Sequence, residues 1–361
     1  MADAKDAGAL TWAALTYDTD NLGDDIQTLA ALQFLPGVHA LVQREWPATW
    51  NIGAETRLIL NGWWMHHPER LVFMKAGLVP LLISIHLSEP NILRRGFSSV
   101  TAFLSQPGLR SALEQHGPVG CRDWSTVELL TRAGIGAYFS GCLTTTLFAL
   151  TTEQRERDGR ILLVDVPGRY ATAIRRAITD PVITLTHQLP RGLDPVRRLL
   201  LAEDRLTQIQ KAKLVVTTRI HAALPCLALG TPVVFVPPTR GDPRTESFLN
   251  WFNTSSWEVL IEEVAAIANN ESKSRNPSAH VPFAEALVAR VEGWVQAQSE
   301  KSVGEHLDPR PRITRSMLSL VAAAQRQSLE AESHRHVLIR RTPTKTKIMT
   351  SVKALVRKTP A

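Results

Sequence analysis

The sequence predicts an α/β protein built from two parallel-sheet halves that face each other across a cleft, followed by a helical and basic extension. Three observations carry this. Short apolar strands alternate with helices as far as about Leu150, a polar and highly charged stretch from Thr151 to Arg160 interrupts them, and the same pattern restarts at Ile161. Alternation of this kind builds parallel sheets covered by helices on both faces. At 361 residues the chain is also long for a single core. The expected divisions are residues 1–150, 151–300 and 301–361.

The first half opens on Leu10 to Tyr17, an apolar segment that reads as a strand. The polar turn Asp18-Thr19-Asp20-Asn21-Leu22-Gly23-Asp24-Asp25 follows, after which Ile26, Leu29, Ala30 and Leu32 recur at helical spacing. Asn21 and Gly23 shape this turn, with glycine giving access to positive φ or to close ligand approach, and Asp24 suits a helix N-cap. Arg57 to Leu60 is expected as a short strand that gives way to Asn61-Gly62-Trp63-Trp64. Leu81 to Ile85 is another, ending in His86. Pro118 to Cys121 is a third and meets Arg122-Asp123, with Asp123 or Ser125 capping a helix through Leu130 that Gly134 stops.

In the second half, strands are expected at Ile161 to Val166, Val182 to Thr186, Leu214 to Thr218 and Val233 to Val236. Polar residues gather at their ends: His187 after the second, Arg219 and His221 after the third, Thr239-Arg240 after the fourth. The segment Thr217-Thr218-Arg219-Ile220-His221 stands where a buried strand gives way to a helix, Ala222 to Leu229, closed by Gly230 and Pro232. A guanidinium and an imidazole at a helix N-terminus make an anion site with a proton donor beside it. The carboxyl ends of parallel strands are also where ligands sit in open α/β sheets. A packed core histidine and an arginine paired with a carboxylate are the structural alternatives. Ile267, Phe283, Leu287, Val288, Val291 and Val295 suggest helices packing on this second half, and Arg310 to Leu329 one more.

The net charge of +7 looks like a nucleic-acid signal until it is located. From Ser333 onward there are eight Lys and Arg and no acid, which leaves 33 basic against 34 acidic residues in the rest of the chain. The body is nearly neutral, and no nucleic-acid partner is expected. Within the tail, Ile348, Val352, Leu355 and Val356 fall on one face of a basic stretch, Lys345 to Lys358. Such a helix can lie on an anionic membrane surface, and a solvated tail is the alternative. Cys121, Cys142 and Cys226 form no C-x-x-C pair and leave one over, which suits reduced thiols in a cytoplasmic protein. The first twenty residues lack the pattern of a secretory signal, and Pro225, Gly230, Pro232 and Pro237 break up the longest apolar stretch. Nothing has metal-ligand spacing, and His66-His67 reads as surface or structural.

Taken in order, Asn21-x-Gly23-Asp24-Asp25-Ile26, Gly120-Cys121-Arg122-Asp123-x-Ser125 with Leu129 and Gly134, and Thr218-Arg219-Ile220-His221-Ala222 leading to Leu229-Gly230-Thr231-Pro232-Val233 resemble the polysaccharide pyruvyl transferase family. The resemblance covers about residues 10 to 240. It implies two Rossmann-like domains in a GT-B-like arrangement, and transfer of a pyruvyl group from phosphoenolpyruvate to a free or lipid-linked saccharide as a ketal, in cell-surface or exopolysaccharide biosynthesis. No cofactor or metal is expected. That chemistry needs a proton donor, a base and anion clamps. His221 fits the donor because imidazole titrates near neutrality, and Arg219 and Arg122 fit the clamps because guanidinium forks match phosphate and carboxylate. Asp24 either caps its helix or acts on an acceptor hydroxyl. His187, Arg240 and His86 are placed by strand-end position alone.

The chain departs from the family pattern twice. Asn61-Gly62-Trp63-Trp64 replaces a glycine-rich run, and Ser140-Gly141-Cys142-Leu143 stands where Asp-Pro is common. Trp63 or Trp64 can stack on a saccharide or pack in the core. Two other functions stay open: a nucleotide-sugar glycosyltransferase, against which stands the lack of an acid in Ala222 to Leu229, and a non-catalytic saccharide-binding module.

Overall fold

The computed structural model describes residues 11–50, 55–70, 77–150, 156–239, 241–270 and 275–299, with the backbone alone described at 148–150. The helix expected at Arg310 to Leu329, the basic tail and Arg240 lie outside the described residues.

The first half contains β1 (Thr11–Thr16), α1 (Leu22–Leu32), β2 (Ala40–Gln43), β3 (Thr56–Trp63), β4 (Leu78–His86), α2 (Glu89–Arg94), α3 (Val100–Leu104), α4 (Pro107–Gln115), β5 (Val119–Cys121), α5 (Trp124–Arg132) and β6 (Ala137–Phe139). A 3-10 segment, Leu143–Leu150, leads out of it. The second half contains β7 (Ile161–Val164), α6 (Gly168–Ala177), β8 (Val182–Leu185), α7 (Pro195–Lys211), β9 (Leu214–Thr217), α8 (Ile220–Ala228), β10 (Val233–Phe235), α9 (Pro243–Glu246), β11 (Asn253–Thr254), α10 (Leu260–Ala268) and α11 (Val281–Ser299).

Both sheets are parallel throughout, in the orders β2-β1-β3-β4-β5-β6 and β11-β10-β9-β7-β8. Numbered within its own half, each sheet follows 2-1-3-4-5, and the first adds a sixth strand. The winding direction therefore reverses between β1 and β3 in one sheet and between β7 and β9 in the other. A crevice opens outside the strand ends at such a point, and ligands bind there.

Strands covered on both faces read as unbroken apolar runs, and side chains alternate between those faces. Trp12, Ala14, Ile59, Leu81 and Ile83 accordingly share a core with α1, whereas Ala13, Leu15, Leu58, Leu60 and Leu82 share one with α3, α4 and α5. Leu199, Ala202 and Leu206 of α7 belong to the first of these cores, so the two halves are joined by apolar packing. Beneath the cleft Arg198, 2% exposed, forks onto Asp25 through Nε–Oδ1 at 3.0 Å and Nη2–Oδ2 at 2.8 Å.

Four expectations need correction. Asn61, Gly62 and Trp63 are not a turn but the end of β3, whose register shifts between Leu60 and Gly62; Gly62 takes φ +93°. The cap of α1 is Asn21, whose side chain accepts from the Gly23 N–H, so Asp24 lies inside the first turn. β4 begins at Leu78, earlier than expected. α11 does not pack only on the second half: Leu287 and Val291 enter the first-half core, Trp294 meets Trp12 edge to face at 5.7 Å, and Gln298 accepts from Arg57. Phe283 alone of its apolar residues named above joins the second-half cluster around Trp251. Among the described residues no helix is long and apolar enough to cross a membrane.

Candidate active site

The strand ends of the two sheets meet at a cleft of about 300 Å³. Thr19, Asp20, Asn21 and Asp24 line it from the turn after β1, Trp63 and His66 from the end of β3, and Arg122 from the end of β5. From the second half come His187 after β8, Thr218 to His221 after β9, and Pro238, Arg244 and Thr245 after β10. Residues as distant in sequence as Thr19 and Thr245 thus face one space.

The helices α1 and α8 both aim their N-termini into it. Their first-turn N–H groups and helix dipoles favour an anion. They approach so closely that a Cβ on Gly23 would stand 2.9 Å from both Cβ and Nδ1 of His221, so glycine here is a matter of space between the two halves. A second tie lies alongside: the Leu22 N–H donates to the carbonyl of His187 at 2.8 Å, and the Leu189 N–H to that of Asp20 at 2.7 Å.

Arg219 caps α8 with its backbone, and its Nε donates to Asp165 Oδ2 at 2.7 Å. It is therefore both paired with a carboxylate and placed on the cleft. Arg122 is 2% exposed, and its Nε has no hydrogen-bond partner among the described residues, the nearest carboxylate oxygen, on Asp123, being 3.8 Å away. A buried donor left open costs stability unless a ligand completes it.

His221 is buried, and its Nε2 has no partner among the described residues. Burial, helped by the charge of Arg122, pushes its pKa down to about 3, against the opposing pull of Asp24. The expectation of an imidazole titrating near neutrality is thus corrected: the group is neutral at pH 7. His187, 1% exposed, has no partner for either ring nitrogen among the described residues, and burial with the charge of Arg205 lowers it likewise to about 3.

Asp24 is saturated. Its oxygens accept from Arg44 at 3.1 and 3.3 Å, from Thr19 Oγ1 at 2.8 Å and from Gln27 at 3.3 Å. Burial pushes its pKa up, but Arg44 and Thr19 outweigh this and hold it below the ordinary carboxylate range. It acts as a fixed negative charge facing His221 rather than as a free base.

The two tryptophans separate. Trp63 lines the cleft, stacks on His86 with ring centroids 4.8 Å apart, and lies 5.6 Å from the guanidinium of Arg244. Trp64 is buried in the apolar core under α3 to α5. His86 is also turned away from the cleft lining: its Nδ1 pairs with Asp123, the N-cap of α5. Burial raises the Asp123 carboxyl, yet the charges of His86 and Arg122 bring it down to about 2. Three residues of the site were not foreseen in the sequence, namely Asp165, Arg244 and the exposed His66. Asp165 follows an apolar strand just as His187 does, and that strand-end position was its one available signal. Among the described residues no three His, Cys, Asp or Glu side chains gather to hold a metal ion.

A family model described as polysaccharide pyruvyl transferase matches residues 21–239. That span takes in the facing turns from Asn21 to Pro238. No curated protein matches the chain. Among solved structures it is similar to a functionally uncharacterized protein of Klebsiella pneumoniae subsp. pneumoniae, at 12% identity and a TM-score of 0.44, over 68% of this chain and 92% of that one. It is also similar to E. coli heptosyltransferase WaaC with ADP-2-deoxy-2-fluoro heptose, at 15% identity and a TM-score of 0.24, over the same shares of each chain.

Proposed function

The chain belongs to the polysaccharide pyruvyl transferase family, whose model spans more than half of it, and we propose that its cleft moves the pyruvyl group of phosphoenolpyruvate onto a saccharide as a ketal. Membership makes it a transferase; the donor, the acceptor class and the residue roles are the proposal. One observation carries it most: an open guanidinium from the first half, Arg122, and a guanidinium and an unpartnered imidazole from the second, Arg219 and His221, converge on one cleft. A small molecule with two anionic groups and a protonatable carbon matches that set.

Phosphoenolpyruvate carries a carboxylate and a phosphate, and two guanidiniums with two helix N-termini can hold both. Its negative charge offsets the field of Arg122, which adds to burial in keeping His221 neutral, so the imidazole takes up a proton as the donor binds. Asp24, fixed and ionised opposite, stabilises the imidazolium. His221 then gives that proton to the methylene carbon, which becomes methyl, and the first sugar hydroxyl adds to the cationic carbon next to it. The proton of this hydroxyl returns to the imidazole. The carbon–oxygen bond to phosphate breaks, a second hydroxyl closes the ketal, and its proton leaves with the phosphate. Trp63 offers an aromatic face to the sugar ring at the mouth of the cleft. The two doubly wound sheets facing one another suit a GT-B-like arrangement, and an enzyme of this kind would work in the cytoplasm.

The test is incubation with phosphoenolpyruvate and candidate oligosaccharides, following phosphate release and the mass of the sugar. Release coupled to a pyruvyl mass gain is expected. Turnover with a nucleotide sugar, and none with phosphoenolpyruvate, would overturn the proposal.

A further inference from the structure

Asp165 follows the last residue of β7, at the reversal point of the second sheet, and takes φ +53° without being glycine. Aspartate tolerates this region better than most residues, but it is still an uncommon conformation and one that persists where the surroundings demand it. Here they demand it heavily. One carboxylate oxygen accepts from Thr186 Oγ1 at 2.6 Å. The other accepts from the His187 backbone N–H at 3.1 Å and from Arg219 Nε at 2.7 Å, and the carbonyl accepts from Thr218 Oγ1 at 3.2 Å. A single residue therefore binds together the ends of β7, β8 and β9.

The ties continue across the cleft, since the His187 carbonyl takes the Leu22 N–H at the start of α1. A guanidinium is planar, so a bond at Nε fixes where its two Nη groups point. The loop that carries His187 is fixed by the same carboxylate, and the imidazole on it has both nitrogens buried and unpartnered on the cleft wall. Burial favours the neutral acid, but Thr186, the His187 N–H and Arg219 hold Asp165 below the ordinary carboxylate range.

We propose that Asp165 is a positioning residue of the cleft: its carboxylate sets the aim of the Arg219 guanidinium and anchors the loop bearing the His187 imidazole, so that the two meet the donor's anionic groups together. This rests on the reading of the donor as phosphoenolpyruvate.

Two variants separate the carboxylate from the backbone. Asp165→Asn keeps the φ preference and shape but removes the charge. Asp165→Gly removes the carboxylate while relieving the conformation. Calorimetric affinity for phosphoenolpyruvate and for inorganic phosphate, steady-state KM and kcat, and Tm are measured for both, and again for Asp165→Asn in an Arg219→Ala background. Both single variants are expected to weaken phosphoenolpyruvate binding and raise its KM about tenfold or more, with kcat changing less, because charge-assisted hydrogen bonds are lost. In the Arg219→Ala background the charge removal should add less, what remains being the part that acts through the His187 loop. Wild-type KM and affinity in both variants, with only Tm lowered, would overturn the inference, as would a full effect without Arg219. If the wild type binds inorganic phosphate but neither binds nor uses phosphoenolpyruvate, the donor reading falls, and the same comparison run on phosphate still decides the role of Asp165. A wild type that binds neither overturns both.

Discussion

The two walls of the cleft are built on opposite plans. On the first-half wall Asp24, Arg44 and Glu45 are all buried and form a closed network: Arg44 reaches both carboxylates, at 3.1 Å and 2.6 Å, and lies 4.5 Å over the ring of Tyr17. On the second-half wall His187 and His221 are also buried, yet among the described residues both ring nitrogens of His187 and Nε2 of His221 lack partners. A closed polar network rigidifies its surroundings, whereas an open buried donor or acceptor is a cost borne until something arrives to complete it. The first wall is a charged support except at Arg122, whose Nε has no partner among the described residues. The second, on the function proposed, is a binding set that a ligand completes.

This contrast can be broken in order of size. Arg44→Met leaves two carboxylates buried without their cation, and removing one partner of a buried ion network costs about 3–5 kcal/mol. Chemical denaturation should show that loss in stability first. His221→Ala acts on the other wall and should do the reverse, lowering kcat about 10²-fold while the melting temperature holds, as expected for removal of a general acid. A large loss of stability in His221→Ala, or none in Arg44→Met, would erase the distinction.

Acidification comes next. Both buried imidazoles have folded pKa values of about 3, below the value near 6.5 expected in an unfolded chain. The unfolded state therefore binds protons that the folded state refuses, so stability is lost as pH falls from about 6.5 towards 3. At pH 5 the loss is about 2 kcal/mol for each imidazole, in order of magnitude. Urea denaturation at pH 7 and pH 5 measures it, and His187→Gln should flatten the dependence. The smallest effect expected is at the mouth of the cleft, where Trp63→Ala should raise KM for the saccharide by about tenfold, the worth of one aromatic contact, and leave KM for phosphoenolpyruvate nearly unchanged.

Much of this arrangement was legible in the chain. Apolar runs marked β1, β5, β8 and β9, and the polar residues behind them marked Asn21, Arg122, His187, Arg219 and His221, because a strand that ends at a ligand crevice must change from apolar to polar there. What was hidden depends on contacts distant in sequence. α7 interleaves Arg197, Arg198, Glu203, Asp204 and Arg205 with its apolar positions, and Arg198 is buried only because Asp25 comes to it from the other half. Arg44 meets Asp24 because β2 pairs with β1. Nothing in a local pattern tells which of two sheets an amphipathic helix will cover, and so α11 was placed wholly on the second half. The positive φ of Asp165 has no sequence mark at all. The split between Trp63 and Trp64 falls at the end of β3, whose last residue is Trp63, an end that the sequence placed too early.

The unfinished wall is tested most directly by the protonation of His221 itself, followed by NMR of the labelled imidazole without and with phosphoenolpyruvate. The account predicts a pKa of about 3 in the free protein and a marked rise when the donor's negative charge enters beside Arg122. An imidazole that stays neutral to the same low pH with phosphoenolpyruvate bound would contradict it.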